Sequence, residues 1–162
     1  MTKQEFTVLA RQEMSRFALS GWSFAFDNAK VIFGRCYFYN KKITMSLPLF
    51  EANKTNNFIQ VWDTLLHEMA HALAFIHDNH HQHGKEWKEW CVKVGAKPQR
   101  CYTDAEVTAV THKYHLVNSK TGEVAGKYHR KPRWVKDCGL SFWHQREDGT
   151  HEHYQLVPNK AK

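Results

Sequence analysis

Apolar residues recur at helical spacing in three segments of the chain. The first segment, residues 3–19, follows Thr2, which together with Glu5 matches a capping box. The second, residues 58–77, carries an apolar stripe with a period of 3.6 residues. The third, residues 87–95, ends in a glycine, which is a common C-terminal signal of helices. The sequence therefore predicts three helices.

Other segments alternate apolar and polar residues, which is typical of half-buried strands. Residues 22–27 show this alternation, and residues 35–39 and 42–46 are predicted as two strands joined by a tight turn. Further short strands are predicted at residues 107–110, 114–117, 127–130, 134–135, 142–145 and 153–157. An Asp-Gly turn at residues 148–149 lies between the last two strands and predicts a hairpin. We therefore expect an α+β protein whose second half is rich in strands.

Length and composition narrow the class of protein. A chain of 162 residues fits one domain, or one domain with a small appendage, and 42% hydrophobic residues exclude a disordered tail. No apolar run reaches the ~18–20 residues that a membrane span needs. Glu5 and Glu13 interrupt the N-terminal segment, so it does not match a secretory signal. The four cysteines form no C-x-x-C pair. We expect a soluble cytoplasmic protein with reduced thiols.

The positive charge is unevenly distributed. Residues 1–84 hold 8 Lys and Arg against 7 Asp and Glu, whereas residues 85–162 hold 15 against 9. A basic stretch with interleaved aromatic residues lies in the second part, and such a stretch can bind phosphates and exposed bases. Its candidate nucleic-acid-binding residues are Lys113, Lys127, Arg130, Lys131, Arg133, Trp134 and Lys136. The alternatives are that the lysines are simply solvated and that Trp134 is a core residue.

Histidine is the unusual component of this chain. Of its twelve histidines none precedes His67, and six lie between His67 and His83. His67-Glu68-Met69-Ala70-His71 has the pattern H-E-x-x-H inside a predicted helix, where residues i and i+4 project from one face. Two imidazoles so placed can bind one Zn²⁺ at ~2.0–2.1 Å, and Glu68 can reach a water on the metal. The alternative is a metal-free helix, but two ionisable rings among apolar neighbours would each need a polar partner.

A catalytic zinc needs a third protein ligand and one open position. His77 has the spacing of the metzincin pattern, but Ala74 stands where that pattern needs a glycine. His83 is followed by Gly84 and then, four residues on, by Trp87 at the start of the third helix, which can hold a ligand rigidly. We therefore favour His83. The other candidates are His80 and His81 in the loop and Glu86 and Glu89 on the next helix.

Several motifs in order resemble the SprT-like domain family over roughly residues 3–105. They are GWSFAFDNAK at residues 21–30, FGRC at 33–36, KITMS at 42–46, the H-E-x-x-H motif, and HGKEW at 83–87. The resemblance implies a zincin-like metalloprotease domain with an N-terminal helix, a small antiparallel sheet, the H-E-x-x-H helix and a helix for the third ligand. It implies His67, His71 and His83 as zinc ligands and Glu68 as the catalytic acid and base. The family includes Spartan-type proteases, which digest proteins crosslinked to DNA and depend on DNA.

The chain departs from this family after residue 105. Many bacterial SprT-like proteins end in a four-cysteine zinc ribbon, but here only Cys138 matches one of its cysteines, and Val135 stands in place of its partner. We therefore expect a core at residues 1–105 and a basic, β-rich, ribbon-like appendage at residues 106–162 without the ribbon's metal. The alternative is a second, structural zinc bound by Cys138 with His112, His115, His129 or His144.

The sequence thus favours a zinc-dependent endopeptidase with one catalytic zinc. Glu68 would take a proton from the attacking water and later deliver it to the leaving amine. Its expected partners are a protein substrate and DNA, either single-stranded or at a junction. The main alternative is a nucleic-acid-binding module with a structural zinc, and a zinc hydrolase of small molecules is a third reading. Glu68 favours the enzyme, because a structural site does not need a carboxylate beside its ligands.

Overall fold

A computed structural model describes residues 1–99 and 107–159 and divides the chain into two compact units, Met1–Val110 and Thr111–Lys162. The expected domain boundary at residues 105–106 lies outside the described residues. The first unit has four helices and a three-stranded sheet among its described residues. Its elements are α1 (Lys3–Arg16), β1 (Ser23–Asp27), β2 (Gly34–Tyr37), β3 (Lys42–Ser46), α2 (Leu47–Asn53), α3 (Phe58–Asp78) and α4 (Lys85–Val94).

The predicted capping box of α1 is confirmed. The backbone N–H of Thr2 donates to the Glu5 carboxylate at 2.7 Å, and the Glu5 N–H donates to the Thr2 hydroxyl at 3.2 Å. The helix ends three residues earlier than residue 19, because Ala18 adopts a left-handed conformation with φ +58°. The N–H of Leu19 then donates to the Met14 carbonyl at 2.8 Å, and Leu19 is fully buried. An early turn thus brings an apolar side chain into the core.

The sheet of the first unit is mixed, so the expected antiparallel sheet is wrong in this respect. Its strand order is β1-β3-β2, with β2 antiparallel and β1 parallel to β3. Residues 28–33 carry the chain past β3, so that β2 forms a hairpin on the far edge. Because β2 alone reverses the direction, β1 and β3 run the same way.

Helix α2 was not predicted, although its start has a recognisable signal. The Ser46 hydroxyl accepts a hydrogen bond from the Leu49 N–H at 3.0 Å, and a proline occupies the first turn. At the other end, buried Asn53 donates to the Thr108 carbonyl at 2.8 Å and accepts from the Thr108 N–H at 2.6 Å. The backbone of Thr108 thus pairs with a side chain and not with a neighbouring strand. The prediction of a strand at residues 107–110 is therefore wrong.

Helix α3 crosses the first unit and is buried along most of its length. It extends one residue beyond the predicted segment 58–77, and α4 ends as predicted at Gly95, which has φ +82°. The buried face of α3 is largely apolar, as its stripe predicts. It also buries polar residues, among them Thr64, Glu68 and His71. Buried polar groups need hydrogen-bond partners or serve a function. The middle of α3 is therefore a candidate location for a functional site.

The second unit contains a four-stranded antiparallel sheet of order β5-β4-β7-β6. Its elements are β4 (Tyr114–Asn118), β5 (Val124–Tyr128), a short helix α5 (Val135–Cys138), β6 (Ser141–Gln145) and β7 (His151–Pro158). The predicted strands at 114–117, 142–145 and 153–157 and the hairpin are confirmed. The strand predicted at 127–130 lies earlier, and that at 134–135 is wrong, because turns after Pro132 lead into α5.

None of the helices in the described residues is both long and apolar enough to cross a membrane.

Candidate metal centre

Helix α3 and the loop before α4 bring three histidines together. His67 and His71 lie one turn apart on α3, and His83 comes from the loop just before Gly84, the N-cap of α4. The Nε2 atom of His83 lies 3.2 Å from Nε2 of His67 and 3.1 Å from Nε2 of His71. In the described parts of the chain these three side chains are the one group of metal-ligating residues so arranged, with candidate ligand atoms within 4.8 Å of one another.

Trp87 supports the three histidine rings from α4. Its side chain is fully buried, and its ring centroid lies 4.8, 5.3 and 4.5 Å from those of His67, His71 and His83. Because Trp87 is only four residues beyond His83, it anchors the turn that carries this ligand. Packing of this kind limits ring rotation and keeps the three nitrogens directed to one point.

His80 holds the loop that carries His83, a role that sequence reasoning missed. Its Nε2 accepts a hydrogen bond from the Gly84 N–H at 3.2 Å, and its Nδ1 lies 3.4 Å from a carboxylate oxygen of Glu86. His80 is therefore a positioning residue and stands outside the triad. Backbone N–H groups at the start of a helix often need a hydrogen-bond acceptor. A polar residue shortly before a predicted helix is therefore the general signal for a side chain in this role.

The geometry and protonation of the triad fit a metal ion. Four tetrahedral ligands at 2.0–2.1 Å lie about 3.3 Å from one another, close to the Nε2 separations here. Burial lowers the pKa of His67 to about 4 and that of His71 to about 3, with the neighbouring histidines adding to the shift. Both imidazoles are therefore neutral at pH 7, and neutral imidazole is the form that binds metals. These three side chains would hold the ion and would leave a fourth ligand position to a water or a substrate.

Glu68 lies beside the triad and is buried. Its carboxyl is nearly fully buried, and this burial raises the pKa of Glu68 to about 8. A hydrogen bond from the Cys36 backbone and the positive charge of Arg35, both on β2, oppose the shift. A divalent cation at the triad would lower this pKa further, because an opposite charge favours the ionised carboxylate. The arrangement thus provides a carboxyl group that can both take up and release a proton near neutral pH.

Gly34 on β2 allows the strand to pass directly over Glu68. A Cβ at this position would lie 2.7 Å from Cγ of Glu68 and 2.9 Å from Cγ2 of Thr64, closer than side chains tolerate. The glycine belongs to the F-G-R-C motif at residues 33–36, one of the motifs that resemble the SprT-like family. A glycine inside a predicted strand often indicates a close approach, and that signal could have identified the contact.

Replacing Gly34 with alanine is therefore expected to lower activity without removing the metal. The added methyl would push the Glu68 carboxyl from its position, and we expect a loss of about 10²-fold in kcat/KM, since misplacing a reacting group by ~1 Å costs that much. Zinc content, measured by atomic absorption, should stay at the wild-type level. A Gly21→Ala variant is the matched control, because nothing lies within 4 Å of a Cβ there. Full activity of Gly34→Ala would contradict this role.

A cavity of about 360 Å³ opens onto the triad. The three histidines and Glu68 line it together with residues of α3 and of the loop between β1 and β2. A cavity of this size lies at the lower end of the range for ligand-binding pockets, about 300–1,000 Å³. It can thus admit a short segment of a ligand directly to the open position.

The other candidate ligands lie elsewhere. His77 is exposed and stacks on Trp90 with ring centroids 4.8 Å apart. His81 packs against Phe38 at 4.9 Å, outside the triad. The carboxylates on α4 have partners of their own, Glu86 with His80 and Glu89 with Lys85 at 3.9 Å.

The candidate nucleic-acid-binding residues all belong to the second unit. Their cationic members, Lys113, Lys127, Arg130, Lys131, Arg133 and Lys136, are exposed. Trp134, in contrast, is half-buried and packs against Phe142 with centroids 4.9 Å apart. Trp143 is an exposed aromatic residue of this unit, with 68% of its surface accessible, and it was not among the predicted residues. Cys138 is a free, exposed thiol.

Comparison with known protein families matches residues 3–112 to the SprT-like family. Searches among curated proteins and among solved structures returned no match. The matched segment spans more than half of the chain and contains the three histidines, Glu68 and Trp87. The chain therefore belongs to the SprT-like family, whose domain is of the metalloprotease type.

Proposed function

We propose that this protein is a zinc-dependent endopeptidase. The observation that carries the proposal is the convergence of three imidazoles, from His67, His71 and His83, and one buried carboxyl, Glu68, on the same solvent-accessible cavity. Three histidines suit zinc, and an open fourth position is characteristic of catalytic rather than structural zinc sites. Membership of a metalloprotease-like family supports the same reaction class.

Glu68 would act as the general base and then as the general acid of peptide hydrolysis. A zinc ion held by His67, His71 and His83 would acidify a water and polarise the peptide carbonyl. Glu68 would accept the proton of the attacking water and return it to the amine that leaves. Burial suits Glu68 to this exchange, because it raises the pKa of the carboxyl toward neutral pH. A carboxyl whose pKa lies near the working pH can both accept and donate a proton.

We propose that the substrates are proteins associated with or crosslinked to DNA, and that the second unit contributes the DNA contact. The support is the charge of this unit and one face of its sheet. This open face, as we name it, carries His115, Val117, Lys127, Trp143, His153 and Gln155, since residues directly opposite in the register share a face. Among the described strand residues none on the open face is acidic. Such a face can accept phosphates.

Trp143 is the side chain on the open face best suited to stack on an unpaired base. Its ring is 68% accessible and lies 4.9 Å from the ring of His153, which in turn is held by Ser119 at 2.8 Å. The opposite face is already covered, with Leu116 and Leu156 buried and Trp134 against Phe142. Stacking of a base on an aromatic side chain is tolerant of sequence and favours single strands over duplexes.

A Trp143→Ala variant is expected to bind single-stranded oligonucleotides about 5- to 150-fold more weakly, because each base stacked on an aromatic residue contributes about 1–3 kcal/mol. Duplex affinity should change little, and the wild-type affinity should fall as salt rises. Fluorescence anisotropy measures both. Tyr39→Ala in the first unit is the matched control, since Tyr39 is 86% exposed. Unchanged single-strand binding by Trp143→Ala would refute the assignment.

The alternative function is a nucleic-acid-binding module whose zinc is structural. Incubation of the zinc-loaded protein with a DNA-bound protein, with and without the DNA, separates the two. The proposed protease should produce discrete substrate fragments, and more of them when DNA is present. A protein that retains zinc and binds DNA but produces no fragments under either condition would support the alternative and contradict the proposal.

A further inference from the structure

Two exposed apolar side chains lie beside the candidate metal centre. Val31 and Ile32, in the loop between β1 and β2, have 77% and 47% of their surface accessible, and both line the cavity that contains the triad. Single exposed apolar residues are common and need no explanation. An adjacent pair of β-branched residues at the mouth of a catalytic cavity is different, because a substrate entering the cavity would cover them.

The loop that carries this pair is fixed at both ends by one residue. The Ser46 hydroxyl donates to the Ala29 carbonyl at 2.5 Å, and the Ser46 N–H donates to the Phe33 carbonyl at 2.8 Å. Phe33 itself is buried in the core. Val31 and Ile32 are therefore presented from a rigid support, which lowers the entropy lost when a ligand binds to them.

The side of the cavity that α3 forms carries polar side chains. Gln60 and Asp63 of α3 line it, and the Asp63 carboxylate accepts a hydrogen bond from the Lys97 N–H at 2.8 Å. Glu68 completes this side. The occupant that fits an apolar wall opposite polar groups is an extended polypeptide, which has both apolar side chains and backbone amides.

We propose that Val31 and Ile32 form a specificity wall that binds an apolar side chain of the substrate next to the scissile bond. This inference rests on the proposed peptidase function and adds to it the substrate class, unfolded or extended protein segments with Leu, Ile, Val, Met or Phe beside the cleaved bond. The cavity volume of about 360 Å³ supports an extended segment, since it has room for few side chains.

The first test sequences the new N-termini that the zinc-loaded protein generates in a denatured protein. Apolar residues should be enriched at one position adjacent to the cleaved bonds. In the double variant Val31→Asn/Ile32→Asn this enrichment should disappear, with kcat/KM for an apolar peptide reduced about tenfold, as expected for contacts of this kind. Val8→Asn, at an exposed valine of α1, should behave as wild type. Enrichment that persists in the double variant would overturn the proposal.

The second test measures binding without catalysis. It therefore separates the specificity wall from the proposed peptidase function. The Glu68→Gln protein is titrated by NMR with two capped tetrapeptides, Gly-Gly-Leu-Gly and Gly-Gly-Ser-Gly. The leucine peptide should bind at least fivefold more tightly, and Val31→Asn/Ile32→Asn in the same background should remove that preference. Equal binding of the two peptides would overturn the specificity wall. Absence of cleavage in the first test, with preferential binding in the second, would reject the peptidase and keep the wall.

Discussion

Replacing His83 with alanine is expected to reduce the affinity for zinc by about 10²-fold or more, while His77→Ala leaves it unchanged. Loss of a direct ligand should cost at least as much as the 10- to 100-fold that loss of an outer-shell partner costs. His83 supplies the nitrogen 3.1–3.2 Å from those of His67 and His71, whereas His77 is stacked on Trp90. Competition with a chelator of known affinity measures the difference.

The His77→Ala control is stringent, because His77 has the sequence spacing of a known third ligand in other zinc peptidases. A zinc site that survives in His83→Ala but is lost in His77→Ala would contradict the ligand set. His80→Ala should give an intermediate result, since His80 holds the backbone of Gly84 rather than the metal. We expect it to weaken zinc binding less than His83→Ala does.

Replacing Glu68 with glutamine is expected to lower kcat by about 10²–10⁴-fold, the usual contribution of a general acid or base. Glutamine has the same shape as glutamate but its amide cannot accept the proton. Zinc content should stay the same, since the three histidines are untouched. The variant should also fold at least as stably as wild type, because burial disfavours the charged form of Glu68.

Three measurements on the Glu68→Gln variant separate this role from a structural one. Chemical denaturation reports stability, metal analysis reports the triad, and peptide hydrolysis reports catalysis. A variant that is stable and zinc-loaded but inactive agrees with the assignment. Wild-type turnover in such a variant would remove Glu68 from the mechanism and leave the zinc site without an assigned base.

The helix that carries His67 and His71 could be predicted from the sequence, because both of its signals lie within one short segment of the chain. The i, i+4 spacing of His67 and His71 places them on one face of any helix, and the apolar stripe identifies the helix. The third member of the triad, His83, was harder to predict, because several residues were candidates for the third ligand. Its distance from the other two depends on the turn after α3, where Asn79 adopts φ +48° and ends the helix. A left-handed asparagine is common at such ends but is not specified by spacing.

Features that depend on contacts between segments distant in the sequence were not predicted. The direction of β1 relative to β3 depends on which edge of β3 the next strand takes, and residues 28–33 carry no local signal for that choice. Likewise Ser46 serves three partners at once, the loop at Ala29 and Phe33 and the first turn of α2. The packing of Gly34 against Glu68 also joins segments more than thirty residues apart.

The two tryptophans of the second unit show the same limit. Alternation with a period of two predicts which residues of a strand share a face, but it does not say which face the rest of the unit covers. Trp134 precedes a short helix and packs on Phe142, while Trp143 on β6 lies on the exposed side. The sequence therefore singled out Trp134 and left its burial open, whereas the structure shows Trp134 half-buried and Trp143 exposed.

Stoichiometric titration of zinc into the metal-free protein tests whether this chain is a zinc-dependent peptidase. Cleavage of a denatured protein substrate is followed as zinc is added, and the fragments are identified by mass spectrometry. We expect hydrolysis to rise with added zinc, to saturate at one ion per chain and to be abolished by a chelator. Binding of one zinc ion without any hydrolysis, or hydrolysis that persists at full strength with excess chelator, would contradict it.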